Sequence, residues 1–364
     1  MIPQAPIGLN SRSEVNVFNV NDMLPLITAP MSSVVDETNY KLFLDNKINV
    51  CLPRTIETVF WEDGVFISIS LNDFTQEFLV RTLSFIGKRF VCIDTANGNM
   101  PALHNAIEKA KEIHGDNLII MAGNVASEEA FVELAKTGVD YIRVGIGGGG
   151  GCNTTSNTGV GQEDLENLIL MCKRRLDWID IEKVKIVADG ISSYINYCKR
   201  QYGFNDNGYA AINKLLYAGA DLVMIGKLFA ECVESAGEKL ITKKIYFGVN
   251  NNYRTEEFTS FEKCNKFYNY NFNSPNFKKF KNDFLFVQVK YSGMSTQVEQ
   301  QNYNDTIKPS EGSVNWIDVR WSLNDWLCGN TYQDESPYLM GYANSLKSAM
   351  SYTGSKTLTE FKKY

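Results

Sequence analysis

Apolar residues fall along the first 230 positions in short, nearly continuous runs, each followed by a longer stretch whose apolar positions recur at helical spacing. The runs are LPLITAPM (24–31), INVCLPR (48–54), VFISIS (65–70), FVCIDTA (90–96), LIIMAGNV (118–125), YIRVGI (141–146), VKIVADG (184–190) and DLVMIGK (221–227). β-Branched runs without polar alternation predict strands buried on both faces, as in a parallel sheet. The segments between them, such as SEEAFVELAKTG (127–138) and AAINKLLYAGA (210–220), read as helices that stop at glycine. Strand and helix in alternation predict an α/β fold. Eight such units predict closure into a (β/α)8 TIM barrel, with an open doubly wound sheet as the runner-up.

Beyond residue 237 the pattern breaks. Residues 250–283 are rich in Asn, Phe, Tyr and Lys with little periodicity, between the strand-like flanks KKIYFGV (243–249) and FLFVQVKYSGM (284–294). The expectation is one barrel domain over 1–364, with residues 241–290 inserted after strand eight as an extended hairpin or excursion. The aromatic content argues against disorder there. The tail NSLKSAMSYTGSKTLTEFKKY (344–364) reads as helix, glycine turn, helix.

Composition narrows the functional classes. Of 364 residues, 44% are hydrophobic and 21% charged, enough for a proper core. A net charge of -6 gives no broad basic surface for nucleic acid. No apolar run reaches the ~18 residues of a membrane span, and MIPQAPIGLN lacks a signal-peptide pattern. The eight cysteines show no CxxC pair or metal-ligand cadence, which suggests a reducing, cytoplasmic setting. His104 and His114, the two histidines, share one helical stretch and read as solvated positions, so a serine-hydrolase triad or a histidine-rich metal site is hard to build.

In a barrel, chemistry sits where strands end, and phosphate sites commonly form after strands seven and eight. Here those loops are ADGISS (188–193) and IGK (225–227). The strand-six loop, GIGGGGGCNTTSNTGVGQ (145–162), places five glycines before Cys152. A bare glycine run is usually a flexible surface loop. Without side chains in the way, however, its carbonyls can turn toward a monovalent cation and its amides toward an anion. A cysteine thiol is only a few per cent thiolate at neutral pH, yet it is a strong nucleophile.

This loop resembles the catalytic loop of the inosine monophosphate dehydrogenase and guanosine monophosphate reductase family, in which Gly-Ile-Gly-x-Gly-x-x-Cys-x-Thr precedes Thr-Gly-Val-Gly. SRSEV (11–15), APM (29–31), DTANG (94–98), MAGNV (121–125), ADG (188–190), AGADLVMIG (218–226), ES-x-GE (234–238), Y-x-GM (291–294), SEG (310–312) and SAMSYTGSKT (348–357) follow the family's order. The resemblance covers most of the chain except 50–90 and 241–290. It implies that Cys152 attacks purine C2 to form a covalent intermediate. In the reductase branch ammonia leaves and NADPH delivers hydride; in the dehydrogenase branch an Arg-Tyr pair on a flap activates water. The segment from Gly293 to Glu311 is short and has no Arg-Tyr pair, which favours the reductase. The absence of an inserted regulatory module favours it too.

By resemblance, Cys152, Thr154 and Glu311 are catalytic, the last two handling ammonia. Asp94, Thr95, Ala96, Asn124, Ile146 and Gly147 face the dinucleotide, NADPH with NADH as an alternative. The purine nucleotide lies against Met31, Asp189, Gly190, Gly226, Lys227, Tyr291, Gly293, Met294, Ser295, Ser310 and Gly312, with Asp189 on ribose. Carbonyls of Gly147, Gly149 and Cys152 hold potassium. The family forms homotetramers, and no membrane or nucleic-acid partner is implied.

The chain departs from the family where phosphate should bind. Gly150 replaces a serine, Ile191 a glycine, and Lys227 a serine or glycine; Thr155 stands for an arginine, and the proline after the TGVG turn is missing. A charge-assisted lysine contact can offset a lost hydroxyl. The exact purine nucleotide, modified or deoxy included, stays open. So do two alternatives: a short-flap dehydrogenase acting on inosine monophosphate, and a catalytically inactive nucleotide-binding barrel.

Overall fold

The computed structural model describes residues 9–54, 62–80, 87–162, 164–179, 181, 183–246, 253–259, 285–292, 313–329 and 341–362. All eight apolar runs become strands: β1 Leu26–Thr28, β2 Cys51–Leu52, β3 Phe66–Ile69, β4 Arg89–Asp94, β5 Leu118–Val125, β6 Tyr141–Val144, β7 Lys185–Ala188 and β8 Leu222–Ile225. They pair in parallel in the order β1-β8-β7-β6-β5-β4-β3-β2. The seam between β1 and β2 closes through a parallel bridge from Ile27 to Asn49. Thr28 N–H donates to the Asn49 carbonyl (3.0 Å) and Asn49 N–H to the Leu26 carbonyl (3.1 Å). The Asn49 side-chain amide donates to the Leu24 and Leu26 carbonyls as well (3.0 and 2.8 Å). The protein is therefore a TIM barrel, not an open sheet.

Helices cover the outside because their apolar residues fall on one stripe. Pro101–His114 buries Leu103, Ala106, Ile107 and Ala110, an i, i+3, i+4, i+7 pattern. Glu128–Ala135 starts at Ser127, whose side chain accepts from Ala130 N–H, and Ile191–Tyr202 ends at Gly203 in the left-handed region. Inside the barrel, the Phe66 ring on β3 meets the Tyr141 ring on β6 edge-on at 5.3 Å. These strands are not neighbours in the sheet, so the contact crosses the interior and fills it with side chains. The tail forms helices Tyr342–Tyr352 and Leu358–Phe361 around Gly354.

A second, antiparallel sheet follows the barrel: β9 Lys239–Tyr246, β10 Tyr253–Phe258, β11 Leu285–Ser292 and β12 Val314–Asp318, in the order β10-β9-β11-β12. Alternation sets its faces: Val287, Val289 and Tyr291 are buried while Phe286, Val314 and Trp316 are exposed. Lys239 anchors its first strand. Its buried ammonium donates to the Ser235 carbonyl and hydroxyl (2.6 and 2.9 Å) and to the Gly237 carbonyl (2.8 Å), and burial pulls its pKa down to about 8. No helix among the described residues is long and apolar enough to cross a membrane.

Candidate functional site

The glycine run after β6 is a packed turn rather than a free loop. Gly148 lies against Gly190 at the end of the β7 loop, so close that any β-carbon would overlap the Gly190 carbonyl. Only glycine permits that approach. Ser193 N–H donates to the Gly148 carbonyl (3.0 Å) and Ser313 N–H, just before β12, to the Gly151 carbonyl (3.0 Å). Cys152 N–H donates back to the Gly149 carbonyl (3.1 Å), bending the chain so that the thiol stands at its end.

Cys152 is half-buried, and its thiol donates to Thr154 Oγ1 at 3.2 Å. Thr154 opens the short helix Thr154–Thr158, which Gly159 terminates in the left-handed region. Among the other described cysteines, Cys51, Cys92, Cys172, Cys198 and Cys232 are buried and Cys328 is exposed on the helix Leu323–Cys328. Cys152 thus combines a position at a strand-end loop with access from solvent. Thr155 closes the TGVG turn through a hydroxyl bond to the Val160 carbonyl (2.9 Å).

The opposite wall comes from β1, β8 and the second sheet. Tyr291 on β11 is buried, with its hydroxyl donating to Met31 Sδ (3.8 Å). A β-carbon at Gly226 would sit 3.2 Å from that sulfur and 3.4 Å from the phenol oxygen, so the three residues form one surface. Burial pushes the Tyr291 phenol up, keeping it a neutral donor.

Beside them lies a cationic corner. A β-carbon at Gly150 would be 3.0 Å from Lys227 Cδ and 3.2 Å from Ser192 Oγ, so the lysine stem occupies the space beside the missing serine. Lys227 Nζ is 4.0 Å from Glu231 Oε1 and Arg320 Nη1 is 3.4 Å from Glu231 Oε2. Burial pushes the Glu231 carboxyl up while Arg320 and Lys227 pull it back. Lys227 keeps 43% of its side chain exposed. Ile191 does not intrude; it joins the hydrophobic core.

Across the mouth, four charged side chains interlock. Arg143 on β6 donates through Nη1 to Asp94 Oδ1 (2.6 Å) and through Nη2 to Asp189 Oδ2 (2.8 Å). Arg54 Nη2 pairs with Asp94 Oδ2 (3.1 Å) and also donates to the Asp94 carbonyl. Burial pushes the Asp94 carboxyl up, but the Arg143 and Arg54 guanidiniums outweigh it and hold the group below the usual carboxylate range. Burial likewise works against the Arg143 charge, and Asp189 and Asp94 more than restore it.

Several expected cofactor-facing groups are turned to other partners. Asp94 gives its carboxylate to the two arginines, and Asn124 donates to the Gly145 carbonyl (2.7 Å) and Asp189 Oδ2 (2.8 Å). Thr95 Oγ1 donates to the Gly123 carbonyl (2.9 Å). Ala96 is exposed, and Ile146 and Gly147 are half-buried. The histidines are also not simply solvated: a ring nitrogen of His104 bonds the Gly98 carbonyl (3.1 Å) and one of His114 the Phe78 carbonyl (2.8 Å). Gly293, Met294, Ser295, Ser310, Glu311 and Gly312 lie outside the described residues. Sequence reasoning missed Arg143, Arg54, Ser192, Glu231 and Arg320. A signal existed for Arg143, a charge inside the apolar run YIRVGI.

Among the described residues no group of His, Cys, Asp and Glu is placed to hold a metal ion. Residues 69–302 match the family described as IMP dehydrogenase / GMP reductase domain. A GMP reductase of Staphylococcus epidermidis is 31% identical over 281 residues, 72% of this chain and 80% of that one. One of Enterococcus faecalis is 32% identical over 267 residues, 68% and 75% of the two chains. The inosine-5'-monophosphate dehydrogenase of Chlorobaculum parvum is 35% identical over 178 residues, 49% of this chain. The chain spans only about a third of that dehydrogenase's length, 32%.

Proposed function

Because the chain belongs to the IMP dehydrogenase / GMP reductase family of purine nucleotide oxidoreductases that use NAD(P), we propose that it is a reductase that converts guanosine monophosphate, or a close relative, to inosine monophosphate and ammonia. The observation that carries the reading is the half-buried Cys152 thiol at the loop end, bonded to Thr154. The breadth of the match to the two reductases supports it.

In this reading Cys152 sulfur bonds to purine C2, the proton that the thiol gives up passes to the 2-amino group, and the C2–N bond breaks to release ammonia. Thr154, within hydrogen-bond reach of the sulfur, and Glu311 manage that proton. Bound beside Ala96, Ile146 and Gly147, NADPH would supply the hydride that C2 takes up, and the C2–S bond then breaks to return Cys152 as thiolate. Met31, Tyr291 and Gly226 wall the nucleotide, with Gly293, Met294, Ser295, Ser310 and Gly312 completing its contacts. Asp189 and Gly190 hold the ribose side, and Lys227 with Ser192 takes the phosphate. Burial of Tyr291 and the open lysine head suit a ligand apolar at its base and anionic at its end.

The dinucleotide fits beside exposed Ala96 and half-buried Ile146 and Gly147. Asp94, Thr95 and Asn124 line that space from behind through their bonds to Arg143, Gly123 and Asp189. Potassium fits the loop's oxygen donors: the Gly149 carbonyl accepts one bond, from Cys152 N–H, and keeps a lone pair. Gly147 and Cys152 carbonyls would complete that set. The same reading takes residues 241–290 as an insertion within a single domain, and includes a homotetramer in the cytoplasm.

The test is NADPH absorbance with guanosine monophosphate and potassium, comparing wild type with Cys152→Ala. Consumption in the wild type and its loss, by at least about 10³-fold, in the variant are expected, the scale of a nucleophile deletion. Wild-type protein that consumes no NADPH on any guanine nucleotide refutes the reading. The 35% identity to the dehydrogenase motivates one competitor, and incubation with inosine monophosphate and NAD, followed by mass spectrometry for xanthosine monophosphate, separates the two.

A further inference from the structure

Arg143 is a guanidinium buried in the barrel wall, with 8% of its side chain exposed, facing two carboxylates from different strand ends. Strand β5 runs tightly against the backbone of residue 143, which fixes where the Arg143 side chain starts. Gly123 on β5 adopts φ +147, and a β-carbon there would lie 2.8 Å from Arg143 Cβ. The bonding to Asp189 is lopsided. Oδ2 receives Arg143 Nη2 (2.8 Å), Arg143 Nε (3.2 Å) and Asn124 Nδ2 (2.8 Å). Oδ1 receives the Gly190 N–H alone (2.6 Å). A carboxylate oxygen offers about two lone pairs, so Oδ2 is saturated and Oδ1 has one acceptor position left.

Arg143 cannot swing away from this arrangement. Its Nη1 is committed to Asp94 Oδ1 (2.6 Å), and Asp94 is held in turn by Arg54 through Oδ2 (3.1 Å). Asp94 therefore works as a counter-clamp that fixes the plane of the guanidinium. A planar fork with five donors can serve both carboxylates at once, which a lysine ammonium cannot do from the same stem.

We propose that Arg143 is the positioning residue of the nucleotide site: by clamping one oxygen of Asp189 it leaves the other as a single fixed acceptor for a sugar hydroxyl, and so sets the preference for a nucleotide that carries that hydroxyl. The inference rests on the reading of Cys152 and its surroundings as a purine nucleotide site. It adds that selectivity for the sugar is governed from a residue that does not touch it. Arg143 acts through Asp189, and removing it frees the carboxylate to rotate and accept indiscriminately.

Titration calorimetry on the full chain tests this, with guanosine monophosphate and its 2'-deoxy and 3'-deoxy analogues as probes. Wild type is expected to bind the ribonucleotide at least about tenfold tighter than one of the deoxy analogues, the scale of one charge-assisted hydrogen bond. Arg143→Lys is expected to compress that ratio to about twofold or less, while the deoxy analogue's own Kd moves by no more than about threefold. A merely structural role would weaken all three ligands alike and leave the ratio unchanged. Should Arg143→Lys fail to fold, the double variant Asp94→Asn/Arg143→Gln removes one charge of each sign and carries the same expectation. An undiminished ratio in either folded variant overturns the proposal. Equal wild-type affinity for all three ligands also overturns it, yet leaves the reductase reading standing. Failure of wild type to bind any of them removes that reading, and this inference with it.

Discussion

Replacing Lys227 with alanine isolates the phosphate corner. Lys227 Nζ stands 4.0 Å from Glu231 Oε1, and its stem fills the space beside Gly150. A charge-assisted bond to phosphate contributes about 1.5–3 kcal/mol. With 43% of the lysine side chain in solvent, screening puts its contribution near the lower figure. That corresponds to about a tenfold loss in nucleotide affinity. Glu231 keeps Arg320 at 3.4 Å, so the variant retains a partner for its buried carboxylate and folds. Calorimetry should show the loss for guanosine monophosphate and none for guanosine, which lacks the phosphate. The geometry supplies a second arm. Gly150→Ser alone brings a β-carbon to 3.0 Å from Lys227 Cδ, and the small shift this forces on the flexible lysine stem should weaken the monophosphate about two- to threefold, less than ~1 kcal/mol. Combined with Lys227→Ala, the serine has room and should recover part of the affinity. If Lys227→Ala leaves the ratio between monophosphate and nucleoside at its wild-type value, the phosphate lies elsewhere and the reasoning is wrong.

Two further outcomes follow from packing and charge. Lys239 titrates near 8 in the folded chain against an ordinary 10.5, so between those values the unfolded chain binds more protons and stability rises with pH. Urea unfolding of wild type against Lys239→Met should show this as a relative gain of at most ~1.4 kcal/mol per pH unit from about pH 8 to 10.5, and a flat difference would contradict it. Gly148→Ala forces a methyl into the Gly190 carbonyl, and one of the two loops must shift. Thermal melting should register ~1–3 kcal/mol of destabilisation. A fall of more than about tenfold in kcat is expected alongside it, because Cys152 moves with the loop.

The barrel was legible because each strand lies in a short, mostly apolar run, and that pattern is local. The seam was not: INVCLPR read as one strand over 48–54, but only Cys51–Leu52 pairs regularly, and Asn49 closes the circle with its side-chain amide. A single polar residue in an apolar run gives no hint of that role until β1 lies beside it. Strands β10 and β12 escaped notice as individual strands, since YRTEEF and VNWID carry too many exposed polar groups to stand out. The thiol loop announced itself by composition, and Lys227 by departure from the resemblance. Arg143, Arg54 and Glu231 did not, because their meaning lies in partners from other strands. Asp94 and Asp189 each looked like a ligand contact; only their common grip on one guanidinium shows that they are also bound to each other's position.

The bond from Ser313 to the Gly151 carbonyl, together with Tyr291 pressed on Met31, means that this vessel is finished by material arriving late in translation. A ribosome that has released residues up to 238 has produced every stave of the cylinder, yet the rim beside the sulfur is missing until the later hairpins dock. Nascent chains cut at that length also lack the tail helices, whose Trp326, Tyr342, Leu346 and Phe361 are buried in the barrel's core, so they should neither pack the cylinder fully nor seal the reactive corner.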